Sequence, residues 1–218
     1  MAETDLTLDE VRAAMAPHIA GNAAFDGWTA QALSATAQNA GIDPDIAELA
    51  FPGGATDMID AWFGHVDAEM ARRLPPETLG AMKVRQRIAA LVLARLDIMR
   101  TAREALRRAL AILAMPANAG VAARLAWRAA DTMWRMAGDV ATDYNHYTKR
   151  ALLTGIYGST VMVWLNDDSA DEAETRAFLD RRIGNVMQFE KVKADFLARR
   201  ERLPSLSRFI GRLRYPAV

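Results

Sequence analysis

Apolar residues recur at intervals of three and four along nearly the whole sequence. In one segment Ile59, Trp62, Phe63, Val66 and Met70 fall on one side of a helix, which is expected to leave Asp57, Asp60, Asp67 and Glu69 mostly exposed to solvent. Glycine and proline interrupt the pattern, and no alternating run of Val, Ile and Thr indicates a strand. The chain is therefore predicted to be all-α. The expected helices cover about 8–20, 28–40, 44–51, 55–73, one or two over 77–115, then 116–137, 143–165 and 171–200.

The charges are divided unevenly between the two parts of the chain. The formal net charge is zero, yet residues 1–71 hold one base, Arg12, and 12 acids, whereas residues 72–218 hold 26 bases and 15 acids. An anionic partner is therefore expected only on the second part. Hydrophobic residues make up 51% of the sequence, as in a soluble globular protein, and the absence of cysteine excludes disulfides, thiolate metal sites and Cys nucleophiles.

No segment of the sequence has the pattern of a targeting signal or a membrane-spanning helix. The amino terminus is acidic, which argues against a secretory signal or a transit peptide. The longest charge-free apolar stretches, 109–123 and 151–166, have 15 and 16 residues, and a bilayer-crossing helix needs about 20. We expect a cytoplasmic protein that contacts a membrane only from the side.

Residues 8–51 form a predicted unit of three helices that resembles the DNA-reading end of TetR-type regulators. In that fold the third helix enters the major groove, and cationic side chains neutralise the phosphates. Here no Lys or Arg occurs between Ala13 and Ala71, and the expected reading helix carries Asp45 and Glu48. These carboxylates would be repelled by DNA. The unit is expected to keep the helix-turn-helix shape without binding nucleic acid.

The sequence offers little for catalysis or metal binding. Its three histidines, at 18, 65 and 146, lie far apart, and a di-iron bundle would need paired Glu-x-x-His motifs that do not occur. There is also no Gly-rich phosphate loop and no G-x-S-x-G. We expect no catalytic residue, metal or cofactor. A ligand-responsive TetR-like regulator and a metal-dependent hydroxylase are the alternatives.

Aromatic and Met residues alternate with small ones in the second half of the chain. Trp127, Trp134 and Trp164 are the bulky members, and Ala122 and Gly158 are among the small ones. Such a pattern is typical of a packed core, but it also fits a cavity for a flexible apolar ligand. Both interpretations stay open at this point.

The last residues of the chain have the pattern of a short amphipathic helix. Its apolar positions share one face, and Arg208 and Arg212 lie mostly off that face. Such a segment gains order by laying its apolar side into a membrane while Arg meets anionic lipid. The alternative is packing on the protein itself or on a partner subunit. The predicted membrane-contacting residues are Leu203, Leu206, Phe209, Ile210, Leu213, Arg208 and Arg212.

A mixed aromatic and polar segment, 143–150, opens the helix that follows Gly138. Asp143 suits an N-cap, and Tyr144, His146 and Tyr147 follow it. The composition is typical of an interface anchor. The spacing of the two tyrosines equally fits an ordinary core face.

Several of these segments together resemble the COQ9 family of ubiquinone biosynthesis. The likeness runs collinearly from about residue 13 to 194. The motifs that carry it are Phe25-Asp-Gly-Trp, Phe51-Pro-Gly-Gly, Met115-Pro-Ala-Asn-Ala, Arg124-Leu-Ala-Trp-Arg-Ala-Ala-Asp-Thr-Met-Trp, Gly138-Asp, Thr142-Asp-Tyr-Asn-His-Tyr-Thr-Lys-Arg, Tyr157-Gly-Ser-Thr and Phe178-Leu-Asp-Arg-Arg-Ile.

The resemblance implies a non-enzymatic, lipid-binding accessory protein with a TetR-like fold that has lost DNA binding. It further implies membrane docking through the carboxy-terminal helix, homodimer formation and contact with the demethoxyubiquinone hydroxylase. Asp143, His146 and Tyr147 would lie in the hydroxylase patch, and Arg150 near a lipid phosphate. Many relatives have Trp where this chain has His146, so the partner contact is expected to be weaker or different.

The expected organisation follows from these points. Residues 1–74 form the helix-turn-helix-like domain, 75–200 the lipid-binding helical domain and 201–218 the membrane-contacting tail. The protein is expected on the cytoplasmic side of a bacterial inner membrane, with a phospholipid or an isoprenoid quinone precursor as its ligand. The residues expected to contact lipid are Arg150, Trp127, Trp134, Tyr157 and Trp164.

Overall fold

A computed structural model describes residues 6–140 and 144–186, with side chains for 6–140 and 146–186. Its regular elements are all helical within these residues, which confirms the predicted fold class. The α-helices are α1 (Leu8–Asp26), α2 (Ala30–Ala40), α3 (Pro44–Ala50), α4 (Ala55–Arg73), α5 (Pro76–Gly80), α6 (Val84–Ile98), α7 (Arg103–Leu113), α8 (Ala119–Met136) and α9 (Tyr144–Trp164). Residues 173–186 are helical as well.

The ends of the first helices follow from local chemistry. Thr7 and Glu10 form a capping box at the start of α1. The helix continues past the predicted end near residue 20, because the first residue with a positive φ is Gly27, at 72°. Gly41, with a φ of 68°, ends α2 in the same way. The expected end of α1 was therefore about six residues too early.

The first three helices pack closely through small side chains. Ala23, Ala32, Ala37 and Ala47 have no exposed surface. Helix α1 packs against α2, α3, α4 and α7. Alanine lets helix axes approach closely, so methyl groups fill much of this unit beside the larger buried side chains Met15, Ile19 and Leu33.

The predicted segment 77–115 divides into α5, α6 and α7. A short 3₁₀ turn, Arg100–Ala102, separates α6 from α7. Beside this turn, Arg100 and Arg103 form ion pairs with the buried Glu172, and the Arg103 Nη2 to Glu172 Oε1 distance is 2.6 Å. These pairs join the middle of the chain to the end of the bundle.

The remaining helices form a bundle of α4, α6, α7, α8 and α9. Helix α8 packs along α9, and α4 packs against α6 and α8. Among the described residues no single helix is long and apolar enough to cross a membrane, although Arg100–Leu113 and Pro116–Met136, which meet at 93°, reach that length and composition as a pair.

The chain divides into two compact units, Met1–Leu179 and Asp180–Val218. The helices α1 to α9 all belong to the first unit, and residues 180–186 are the described part of the second. The predicted domain boundaries at 74/75 and 200/201 stay predictions.

Candidate functional site

An apolar cavity of about 410 Å³ lies inside the bundle of α4, α6, α7, α8 and α9. The small residues Ala122, Ala126 and Gly158 form part of its wall, so the structure contains the kind of hollow that the sequence left open. The volume lies within the range of ligand pockets in proteins. Its lining residues are Phe63, Arg95, Leu106, Leu110, Leu113, Ala114, Ala122, Leu125, Ala126, Ala129, Thr154, Tyr157, Gly158, Val161 and Met162.

Three lining residues carry polar side-chain atoms: Arg95, Thr154 and Tyr157. The Arg95 Nε donates a hydrogen bond to the Tyr157 hydroxyl oxygen, at 3.2 Å, and its Nη1 pairs with Asp67. Among the described residues none accepts a hydrogen bond from the Tyr157 hydroxyl. Because Arg95 occupies the oxygen as a donor, the Tyr157 proton remains available to an acceptor oxygen on a ligand.

The Arg95 guanidinium is held in place by α4. Burial alone would lower the pKa of Arg95, but Tyr157 and Asp67 outweigh this effect and raise it, so the group stays charged. Asp60, about two turns before Asp67 on α4, accepts hydrogen bonds from Arg124 and Arg128 of α8. The side chains of Asp60 and Asp67 are only 15% and 14% exposed.

This arrangement corrects one expectation. The helical pattern of α4 suggested that Asp60 and Asp67 point into solvent. They are instead the counter-charges of arginines on α6 and α8, beside the cavity wall. The acids of the first third of the chain and the arginines of the rest therefore compensate one another inside the molecule, at least at these positions.

The predicted lipid-contacting Arg150 lies in a second charge cluster. It is buried, and its guanidinium binds Asp131 at 2.6 Å and Asp139 at 2.9 Å. Burial would raise the pKa of Asp139, but hydrogen bonds from Lys149 and Arg150 outweigh it and lower the pKa. Two carboxylates already neutralise Arg150. Its contact with a lipid phosphate stays a prediction.

The predicted hydroxylase residues lie beside Trp127. The ring centroids of Trp127 and Tyr147 are 6.0 Å apart, and those of His146 and Tyr147 are 5.1 Å apart. The Tyr147 side chain is 61% exposed. These three rings form one aromatic cluster that reaches the surface. Asp143 lies outside the described residues.

Of the residues expected to contact lipid, Tyr157 lines the cavity, whereas Arg150, Trp127, Trp134 and Trp164 are not among its lining residues. Trp127 belongs to the aromatic cluster, and Trp134 donates its Nε1 hydrogen to the Lys149 carbonyl at 2.9 Å. Trp164 is fully buried between Arg103 and Glu172, to which its Nε1 donates at 2.7 Å. The lipid contact of these three tryptophans stays a prediction.

The sequence analysis missed Arg95 and Phe63 as cavity residues. Arg95 sits in an otherwise apolar stretch between Val92 and Leu96, and an arginine on a buried helix face is the signal that would have pointed to it. The predicted tail residues 203–213 lie outside the described residues, so their membrane contact stays a prediction.

The face that would meet DNA in a helix-turn-helix protein is acidic and apolar. Asp45 and Glu48 are exposed on α3, together with Ile46 and Leu49. Among residues 6–140 and 146–186, no group of three His, Cys, Asp or Glu side chains is placed to hold a metal ion.

The chain is similar to several known proteins. Residues 119–190 match the model of the COQ9 family. The mitochondrial ubiquinone biosynthesis protein COQ9 of Rattus norvegicus is 34% identical over 168 residues, which are 74% of this chain and 54% of the relative. The human protein is 33% identical over the same share of this chain and 52% of its own length, and that of Drosophila melanogaster is 27% identical over 84% of this chain and 57% of its own. The chain thus spans about half the length of the curated relatives it matches.

A solved structure supports the fold. The TetR transcriptional regulator from Nitrosomonas europaea ATCC 19718 superposes with a TM-score of 0.63, at 23% identity, over 80% of this chain and 96% of the regulator. This likeness shows the TetR-like fold alone.

Proposed function

Since this chain belongs to the COQ9 family, we propose that it serves ubiquinone biosynthesis as a lipid-binding accessory protein and catalyses no step itself. It docks on the membrane, shelters the apolar tail of an isoprenoid quinone precursor or a phospholipid, and presents the ligand to the demethoxyubiquinone hydroxylase. The name of the relatives, ubiquinone biosynthesis protein COQ9, supports the pathway, and the apolar cavity supports the lipid-binding step.

The apolar cavity is the observation that carries this proposal. Apart from Arg95, Thr154 and Tyr157, its lining side chains are aliphatic or aromatic hydrocarbon, Met or Gly. A ubiquinone precursor has a long apolar tail, and its head group lies in the membrane, where a soluble enzyme face does not reach it. Sheltering about six tail carbons, at about 0.8 kcal/mol per buried methylene, offsets about 5 kcal/mol of exposure to water.

The Arg95–Tyr157 pair supplies the polar end of the site. Tyr157 donates its free proton to a carbonyl, methoxy or hydroxyl oxygen of the ligand's head, and the charge on Arg95 strengthens that donor. The small side chains Ala122, Ala126 and Gly158 leave room for a branched chain. This combination favours an amphipathic ligand over a plain hydrocarbon.

Two further surfaces complete the proposal. The carboxy-terminal tail, residues 201–218, anchors the protein to anionic lipid through Arg208 and Arg212, while its apolar face enters the bilayer. The aromatic cluster of Trp127, His146 and Tyr147 receives the hydroxylase, because an exposed tyrosine backed by other rings is typical of an interface anchor. We further propose a homodimer on the cytoplasmic face of a bacterial inner membrane.

The test is the lipid that accompanies the purified protein. Gly158 lines the cavity, and a Cβ added there meets no atom within 4 Å, so a larger side chain can begin at this position and Gly158→Leu is expected to occupy part of the cavity. Gly155 lies on the same helix and is equally open, but it is not a lining residue, so Gly155→Leu is the matched control. We expect isoprenoid or phospholipid in organic extracts of the wild type and of Gly155→Leu, measured by mass spectrometry, and several-fold less from Gly158→Leu. Extracts that contain no lipid in all three proteins would contradict the proposal.

The docking step has its own experiment. Truncation before Leu203 removes the amphipathic tail and is expected to abolish flotation with vesicles of phosphatidylcholine and phosphatidylglycerol. Unchanged flotation of the truncated protein would remove the tail from the mechanism.

The regulator alternative finds less support. The TetR-like fold is compatible with it, but α3 exposes Asp45 and Glu48 where phosphates would lie. We therefore expect no shift of duplex DNA in a gel titration at low salt. A saturable shift under these conditions would support the alternative that the protein is a DNA-binding regulator.

A further inference from the structure

The corner between α7 and α8 is an exposed apolar elbow, defined here as residues 109–123. The axes on its two sides meet at 93°, so the chain turns sharply at this corner. The elbow contains no charged residue. Its Met115 side chain is 53% exposed, and Ala111, Ala114, Ala117 and Gly120 are exposed beside it.

The polar groups at the tip of the elbow bond to one another. The Asn118 side-chain amide donates to the Ile112 carbonyl at 2.8 Å. The backbone amides of Ala114, Met115 and Asn118 donate to carbonyls within the same corner. Entering a less polar medium therefore leaves few of the donors at this tip without a partner.

We propose that the elbow is a membrane-insertion surface that acts in addition to the carboxy-terminal tail. Its apolar tip enters the boundary between lipid headgroups and acyl chains. The nearest charged residues on either side are Arg108 and Arg124. They pair with Glu104 and Asp60, but their side chains are 42% and 59% exposed, so the free parts of both guanidinium groups would meet anionic headgroups. Charge-free residues bracketed by arginine on both sides match an anionic lipid surface.

The elbow is continuous with the apolar cavity. Leu110, Leu113 and Ala114 at its α7 side and Ala122 at its α8 side line the cavity, and Ala114 is also exposed. A tail that leaves the bilayer at the elbow therefore reaches the cavity along apolar side chains. This step rests on the proposed lipid-binding function, whereas the insertion of the elbow is measured independently of it.

A lipid surface fits the elbow better than a protein does. Protein interfaces carry about one hydrogen bond per 100–200 Å². The tip presents mainly methyl, methylene and thioether groups, and the Asn118 amide is already engaged. An exposed corner without charged side chains suits a fluid apolar layer.

The absence of cysteine makes a direct depth measurement possible. Met115→Cys and Leu49→Cys each give the full-length chain one site for an environment-sensitive fluorophore. Leu49 is the control, because it is 67% exposed but lies on the acidic α3. With vesicles of phosphatidylcholine and phosphatidylglycerol, the Met115→Cys label should shift to shorter wavelength and be quenched by spin-labelled acyl chains, and the Leu49→Cys label should do neither.

Charge substitution gives the second readout. Met115→Lys should weaken vesicle partitioning about tenfold, the effect of losing one buried Met side chain, whereas Leu49→Lys leaves it unchanged. Circular dichroism verifies that both variants are folded. If the labelled protein binds vesicles while the Met115→Cys label stays in water, the tail alone binds the membrane. That result would contradict insertion of the elbow and leave the proposed function intact. If no variant binds vesicles, both fail.

Discussion

Small side chains have opposite effects on packing in the three-helix unit α1–α3 and in the bundle of α4, α6, α7, α8 and α9. In α1–α3, buried alanines such as Ala32 and Ala37 let the helices close on one another. In the bundle, Ala122, Ala126 and Gly158 face a cavity of about 410 Å³. Long side chains, including Arg95, bridge the bundle helices around that hollow. Where neighbouring helices touch, small residues allow close packing. Where long side chains hold the helices apart, the same small residues leave a cavity.

The acidic residues of the two regions also differ in their surroundings. Asp45 and Glu48 on α3 are exposed, while Asp60 and Asp67 on α4 bind arginines of the bundle. We expect the first set to repel nucleic acid, whereas the second pairs with arginines beside the wall of the cavity. Similar substitutions in the two regions should therefore change stability by different amounts, and measuring both tests this contrast.

The largest effect is expected at the buried cluster around Arg150. Asp139→Asn removes one of its two counter-charges and should lower the free energy of unfolding by about 3 kcal/mol, because a buried guanidinium loses half of its compensation. Glu48→Gln on exposed α3 should change it by less than about 0.5 kcal/mol. Urea unfolding followed by circular dichroism measures both, and equal effects would contradict the contrast.

The effect of Asp139→Asn should depend on pH. The pKa of Asp139 is lowered in the folded protein, so its contribution is present above the unfolded pKa of about 3.9 and is lost as the pH falls through the folded value. The difference between wild type and variant should therefore be constant near neutral pH and shrink below about pH 4. A difference that grows on acidification would have the wrong sign.

The next effect concerns packing. Ala32→Leu forces a larger side chain into the closed three-helix unit and should cost about 2 kcal/mol of stability. Ala126→Leu places the same atoms beside the cavity and should cost less than about 0.5 kcal/mol. Thermal unfolding of the two variants distinguishes a filled region from a hollow one. A similar loss in both would mean that the cavity is closed in solution.

The smallest effect is expected at the polar end of the cavity. Tyr157→Phe removes one hydroxyl donor and keeps the ring, so it should weaken binding of 2-decyl-1,4-benzoquinone by about five- to tenfold. Decylbenzene, which has the same chain and no oxygen, should bind both proteins equally. Calorimetry with the two compounds separates the hydrogen bond from apolar burial, and equal losses for both compounds would assign Tyr157 a packing role only.

Helix positions were largely predictable because they depend on local signals. The predicted range 55–73 coincides with α4, and Gly41 ends α2 as expected. The spacing of Leu106, Ala109, Leu110 and Leu113 also predicts one apolar face on α7, and the three leucines of that face line the cavity. The small residues of α8 and α9 indicated a possible hollow but did not decide between a hollow and a packed core.

The charge pairs could not be predicted because they join distant parts of the chain. Arg95 and Asp67 lie 28 residues apart, and Arg128 and Asp60 lie 68 apart. Periodicity shows which face of α4 is polar, but it does not show that arginines of α6 and α8 cover that face. The polar end of the cavity, at Arg95 and Tyr157, depends on the same long-range packing.

Photo-crosslinking tests the central claim most directly. A farnesyl chain that carries a diazirine is irradiated with the full-length protein, and the labelled peptides are identified by mass spectrometry. The account predicts labels on α7, α8 and α9, at residues such as Leu110, Ala126 and Val161, and their loss in Gly158→Leu. Labels confined to α1–α3, or labels on the bundle that Gly158→Leu leaves unchanged, would contradict it.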